Sequence, residues 1–230
     1  MADLVDYRFD KGIATLTMDD GKVNVMSESM LSELRSAFDR AEADAAVVVL
    51  AGRPGVFSAG YDLAMFKGDP EAIVRTLRAG GDLVHRILGF PHPVVVACTG
   101  HAIAQGAFLM LAADLRIGID GGFKFGLNEV AIGLTIPHYG VEVARHKLTA
   151  PGFDRATLTG ALYGPQEAVR LGFLDDLVSD PVELTTRAQS EATRLTDLVM
   201  AAHQGTKQRV RAAVLAAVRS GIDTEFPTAT

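Results

Sequence analysis

Short apolar runs recur along this chain, each passing through a small-residue loop into a segment with helical spacing. This rhythm restricts the fold more than any other feature. Residues 47–50 and 94–97 are apolar, rich in β-branched side chains and too short for helices, as strands buried on both faces are, and residues 115–119 predict the next strand. Between the hairpin at the start and the first run, Ser27 offers a helix cap, and Met30, Leu31, Leu34, Ala37, Phe38 and Ala41 follow at helical spacing. Residues 70–89 predict a second helix with Ile73, Leu77, Leu83, Val84, Ile87 and Leu88 inward, weakened in the middle by Gly80 and Gly81. Residues 107–113 are apolar all round and predict a buried helix. Residues 52–60 and 100–106 are the loops between. The order strand, loop, helix, repeated, argues for an α/β protein built as a spiral of stacked ββα turns.

The two ends differ from this middle. Residues 5–9 and 12–18 alternate apolar and polar around Asp10, Lys11 and Gly12, which predicts a β-hairpin. From about Asp180 only helical patterns remain, over 182–202 and 205–221, with Lys207, Arg209, Arg211 and Arg219 adding basic charge. The expected division is therefore a core over residues 1–180 and a C-terminal helical region over 181–230 that makes subunit contacts.

Composition excludes several classes. With 48% hydrophobic residues in 230, the chain has the means to bury a core. A net charge of −6 without a basic stripe gives nucleic acid no electrostatic footing. The single cysteine, Cys98, lies in an apolar run and reads as a small buried hydrophobe; no zinc or other metal spacing occurs. No basic leader precedes an apolar segment, and no run reaches the roughly 18 apolar residues of a membrane span. A cytoplasmic protein that does not enter membranes is expected.

Two loops carry the chemistry. Residues 56–63 (VFSAGYDL) and 99–106 (TGHAIAQG) each follow a strand and open a helix. Small residues let backbone approach a ligand, and free N–H groups at a helix start attract developing negative charge. Two such loops can aim two amides at one oxygen. The neighbouring polar residues have plainer readings. Ser58 lacks a His/Asp partner placed by sequence, Asp62 fits a helix cap, Asp19-Asp20-Gly21 fits a turn, Asp114 fits satisfaction of buried backbone, and His101 fits support of the second loop. On composition alone Glu129 reads as a solvated loop carboxylate.

The three segments in order resemble the enoyl-CoA hydratase/isomerase, or crotonase, family. VFSAGYDL is similar to its F-S-A-G-x-D-L loop. Pro93, Ala97, Gly100, Ala102 and Gly106 are similar to P-x-x-x-A-x-x-G-x-A-x-G-G-G, running on to LAADLRI at 111–117. Residues 125–137 (FGLNEVAIGLTIP) are similar to F-x-x-x-E-x-x-x-G-x-x-P, with the proline one residue late. The resemblance spans about residues 5–180 and implies the crotonase spiral, acyl-CoA thioester substrates without a separate cofactor, and homotrimers or hexamers. It assigns the oxyanion amides to Tyr61 and Gln105. Around the substrate it places Ala59, Asp62, Leu63 and Gly106, and it puts Val23 and Val25 where family backbone meets the CoA adenine. Two departures matter. Gln105 replaces the middle of three glycines, where its side chain must tolerate the backbone angles and narrows the pocket. Phe108 stands where the family's hydratases carry a glutamate, leaving Glu129 as the one acid, as in single-glutamate isomerases.

The resemblance then implies a Δ3-to-Δ2 shift of an enoyl-CoA double bond. Glu129 removes a proton at C2 and returns it at C4, its pKa raised by a pocket of Phe108, Leu127 and Ile132. Two alternatives stand beside this. One is enoyl-CoA hydration in β-oxidation, with His138 assisting Glu129. The other is a non-catalytic acyl-CoA-binding protein.

Overall fold

The computed structural model describes residues 3–227. The hairpin is β1 (Val5–Asp10) and β2 (Ile13–Met18), antiparallel, with Lys11 and Gly12 at φ 48° and 78°. Two consecutive left-handed residues give the turn whose twist matches its flanking strands. Helix α1 (Glu28–Ala43) is capped by Ser27, whose Oγ accepts from the Met30 amide at 3.2 Å, and it buries the six apolar residues read from its spacing.

Three ββα turns follow. They are β3 (Val47–Ala51), β4 (Gly55–Ser58) and α2 (Pro70–Leu88); β5 (Val94–Cys98), β6 (Gly100–Ile103) and α3 (Gln105–Ala112); and β7 (Leu115–Ile119), β8 (Phe125–Gly126) and α4 (His138–Lys147). Short 3-10 helices at Leu63–Lys67 and Glu129–Ile132 interrupt the first and third turns. Then come α5 (Ala150–Thr159), β9 (Leu162–Tyr163), α6 (Pro165–Leu171), β10 (Asp176–Val178), α7 (Pro181–Thr196) and α8 (Met200–Glu225). The first strand of each turn joins a sheet ordered β1-β2-β3-β5-β7-β10; the second joins a smaller one ordered β4-β6-β8-β9.

The large sheet is apolar on both faces because both are covered. Leu16, Val48, Leu50, Val94 and Val96 face the main core with α1, α2 and α3. Val47, Val49, Val95, Ala97 and Ile117 face Leu184, Ala188 and Ala192 of α7. Helix α8 returns to the main core through Val214, Val218 and Ile222. It is pinned by Asp114, whose carboxylate accepts from the Val94 amide at 2.7 Å and pairs with Lys207 at 2.7 Å and Arg211 at 2.9 Å. Among the described residues no helix is long and apolar enough to cross a membrane, and no group of three acidic, histidine or cysteine side chains is placed to hold a metal.

Several sequence expectations are corrected. The stretches read as loops, 52–60 and 100–106, contain β4 and β6, because backbone pairing of Gly55 with Gly100 needs no apolar side chains. A Cβ at Gly100 would lie 2.0 Å from the Gly55 carbonyl oxygen. Strands β8 to β10, of two or three residues, and helices α4 to α6 went unread. Gly80 and Gly81 do not break α2; they are where other groups press against it, the Tyr61 hydroxyl at Gly80 and Ile222 at Gly81. The last two helices part at Asp197–Val199 rather than near residue 204, and two of the basic side chains of that region, Lys207 and Arg211, are buried.

Candidate active site

The two chemistry-bearing loops meet where β4 and β6 end side by side. Gly60 packs on the start of α3: a Cβ there would lie 3.0 Å from Ala104 Cβ and 3.3 Å from the Gln105 amide nitrogen. Beside it, a Cβ at Gly106 would strike the Ser58 carbonyl oxygen at 2.6 Å. Among the described residues, neither the Tyr61 amide nor the Gln105 amide donates to a protein acceptor. The Gln105 amide is the first of α3 and so has no intrahelical partner, while Tyr61 lies just before Asp62, the cap of the Leu63–Lys67 helix.

The first loop is held from below. Met26 N donates to Gly60 O at 2.9 Å and Ala59 N to Val23 O at 3.0 Å, and Val25 bridges Gly60. Ser58 Oγ donates to Asn24 O at 2.7 Å and accepts from Gly60 N at 3.1 Å, so it is a buried brace. Asp62 caps the Leu63–Lys67 helix by accepting from Ala64 N at 2.9 Å. Asp20 accepts from the amides of Lys22, Asn24 and Val25, which makes residues 19–25 the expected turn. His101 Nδ1 accepts from Lys124 N at 3.1 Å, tying β6 to the segment before β8.

The backbone demand at the second loop falls on a different residue from the one the sequence singled out. Gln105 is the first residue of α3, whereas Ala104 before it adopts φ 52°, ψ −123°. That region is costly for a side-chain-bearing residue, typically by about 1–3 kcal/mol. Nor does Gln105 narrow the cavity. Its side chain is fully buried, turned into the protein toward Gly80 and Tyr139.

The loops open onto a cavity of about 260 Å³. Ala59, Tyr61, Leu63, Phe108, Glu129 and Ile132 line it together with Phe66, Leu77, Tyr139 and Phe226. Glu129 sits at the start of the Glu129–Ile132 helix and is only 6% exposed. Its Oε2 is buried with no hydrogen-bond partner. Burial raises its pKa from 4.5 to about 7, opposed only by its own backbone amide. Phe108 lines the same cavity, its ring edge-on to Tyr139 at 5.9 Å and pressed against Gly140. A larger recess, about 710 Å³, lies between α1, α2 and α8, but its Arg75, Arg78, Arg86 and Arg219 pair with neighbouring carboxylates, and neither loop reaches it.

Comparison with known proteins matches this arrangement. The Enoyl-CoA hydratase/isomerase family model covers residues 8–226. This chain belongs to that family. A probable enoyl-CoA hydratase of Mycobacterium tuberculosis is 34% identical over 82% of this chain and 72% of its own length. The crystal structure of an enoyl-CoA hydratase/isomerase family protein from Pseudomonas syringae matches with a TM-score of 0.94 and 43% identity, over 97% of this chain and 96% of that one. An enoyl-CoA isomerase from M. tuberculosis matches with a TM-score of 0.93 and 39% identity, over 98% and 100%. Relatives named for hydration and for isomerisation therefore both occur, and the protein is an acyl-CoA enzyme of the crotonase fold.

Not every residue singled out from the crotonase resemblance reaches the cavity. His138 is exposed at the start of α4, and among the described residues only its backbone amide is engaged, donating to Glu225 at 2.8 Å. Val23, Val25, Asp62 and Gly106 support the loops from outside, and Leu127 is buried in the core behind Glu129. The sequence reading missed Tyr139, Asn128, Phe66, Glu225 and Phe226. Asn128 carries a buried Oδ1 without a partner beside Glu129. Adjacency to Glu129 and to His138 was the available signal for Asn128 and Tyr139. Nothing local pointed to Phe226, which reaches the cavity only because α8 folds back.

Proposed function

We propose that the protein moves the double bond of a 3-enoyl-CoA into conjugation with its thioester. One observation carries this reading: the cavity that Tyr61 and Ala104 of the two loops line holds a single buried carboxyl, Glu129, with a free oxygen, and Phe108 where a second acid would stand. Glu129 in its ionised form takes a proton from C2. The electron pair spreads through the C3–C4 double bond and onto the thioester oxygen as a dienolate, which the Tyr61 and Gln105 amides hold. The same carboxyl, now protonated, returns the proton at C4, leaving the double bond at C2–C3. One group suffices because it acts first as base and then as acid. A pKa near neutrality suits both halves, since a group that is too weak a base fails the first step and one that is too weak an acid fails the second.

Hydration asks for a second group to hold the attacking water, and the expected helper, His138, lies outside the cavity. The test is a panel of 2-enoyl- and 3-enoyl-CoA substrates followed by mass and by conjugation absorbance. The reading expects 3-enoyl substrates to become conjugated at unchanged mass, with the rate lost in Glu129→Gln. A product that gains water would refute it in favour of hydration. Tight acyl-CoA binding without turnover of either substrate would leave the protein a binder.

A further inference from the structure

Tyr61 and Gln105, the residues that offer the two amides, are also joined through their side chains. The Tyr139 hydroxyl donates to Gln105 Oε1 at 2.8 Å and lies 3.2 Å from the Tyr61 hydroxyl, which is left to donate to it. Gln105 Nε2 donates in turn to the Gly80 carbonyl on α2 at 3.0 Å. The assembly is buried: Gln105 and Tyr139 are both 0% exposed. Space for it comes from Gly80, where a Cβ would sit 1.8 Å from the Tyr61 hydroxyl and 2.9 Å from Gln105 Nε2. The Tyr139 ring is wedged between Phe108 and Phe226, with centroids at 5.9 and 6.2 Å, which fixes where its hydroxyl lies.

We infer that Tyr139 is a positioning residue: its hydroxyl is a strut that sets the spacing of the Tyr61 and Gln105 amides. Two loops that meet only by packing can drift apart by fractions of an ångström, and such a displacement is enough to weaken an oxyanion contact. Here each loop is tied at its side chain to one oxygen, and through Gln105 to α2. A non-glycine residue at position 105 has a purpose on this account, because glycine there would leave the second loop untied. The strained Ala104 just before it is held in place by the same anchorage. This inference rests on the amide assignment made under the proposed function.

The experiment is isotope-edited infrared difference spectroscopy of the thioester carbonyl in a bound saturated acyl-CoA, which requires no turnover. In the wild type the stretch should shift to low frequency through two amide bonds. In Tyr139→Phe, which keeps the ring and removes one oxygen, the band should move back toward the free value and broaden. On turnover, kcat should fall roughly tenfold, short of the 100- to 1000-fold of a deleted donor, with KM within about threefold. Gln105→Met removes the acceptor independently, and the double variant should be no worse than the poorer single one, as members of one network are not additive. A Tyr139→Phe band indistinguishable from wild type, or fully additive rate losses, would overturn the strut. An unshifted carbonyl in the wild type would remove the amide assignment itself, and the strut with it.

Discussion

Replacing Glu129 by Gln should abolish turnover and make the protein more stable, with a gain that depends on pH. The carboxyl is 6% exposed and has no partner for Oε2, so the fold prefers it protonated. Its pKa is about 7 in the native state against 4.5 ordinarily, a difference equivalent to about 3 kcal/mol. Because the folded protein holds this proton more tightly than the unfolded chain, the group favours the fold fully below pH 4.5, and that contribution is lost as pH rises through about 7. Gln has no such term. The stability difference between variant and wild type should therefore grow from its value at pH 4.5 to an upper bound of about 3 kcal/mol more above pH 7. For a chain of this size that corresponds to roughly 5–10 °C in Tm. Urea and thermal melts of both proteins at several pH values measure it. The kcat/KM of the wild type should also rise about tenfold per pH unit below 7 and level off above, since only the carboxylate can take the C2 proton. A stability difference that is flat with pH would refute the reasoning, because the carboxyl would then titrate as it does in water.

Phe108→Glu should cost about 3–5 kcal/mol in urea denaturation without producing a hydratase, since it removes a buried ring packed on Tyr139 and Gly140 and buries an unpaired acid. Asp114→Asn should cost about 3–5 kcal/mol by leaving Lys207 and Arg211 buried without their counter-charge, and should open α8 to limited proteolysis. Asp6→Asn, which breaks an exposed pair with Arg8, should stay within about 1 kcal/mol in the same assay. Phe226→Ala should raise the ratio of kcat/KM for long over short 3-enoyl chains by roughly tenfold, because that ring walls the cavity; an unchanged chain-length profile would remove it as a determinant.

What was legible in the sequence followed the strength of local signals. The valine runs of β3 and β5 and the stripe of α1 read directly, because burial on both faces or on one face leaves an apolar pattern of fixed period. The smaller sheet did not, since β4 and β6 are four residues each, opened by a glycine and with only two apolar positions in a row, and β8 and β9 are two residues each. Glu129 and the two amides were singled out through ordered motifs rather than periodicity. The direction of the Gln105 side chain was not readable, because it depends on Tyr139, thirty-four positions on, and on the space above Gly80. Likewise nothing near Lys207 or Arg211 announced that Asp114 would draw them inside. The buried Cys98 behaved as its apolar run predicted, with its thiol pushed up to about 12 by desolvation.

The central claim is that one carboxyl carries a proton from one carbon to another across a held dienolate. Deuterium placed at C2 of a 3-enoyl-CoA and followed to the product by NMR within a single turnover tests it most directly. The account predicts deuterium at C4 above the level that solvent exchange supplies, and no conversion in Glu129→Gln. A product whose C4 hydrogen comes from solvent alone, or one formed at the wild-type rate without the Glu129 carboxylate, would contradict it.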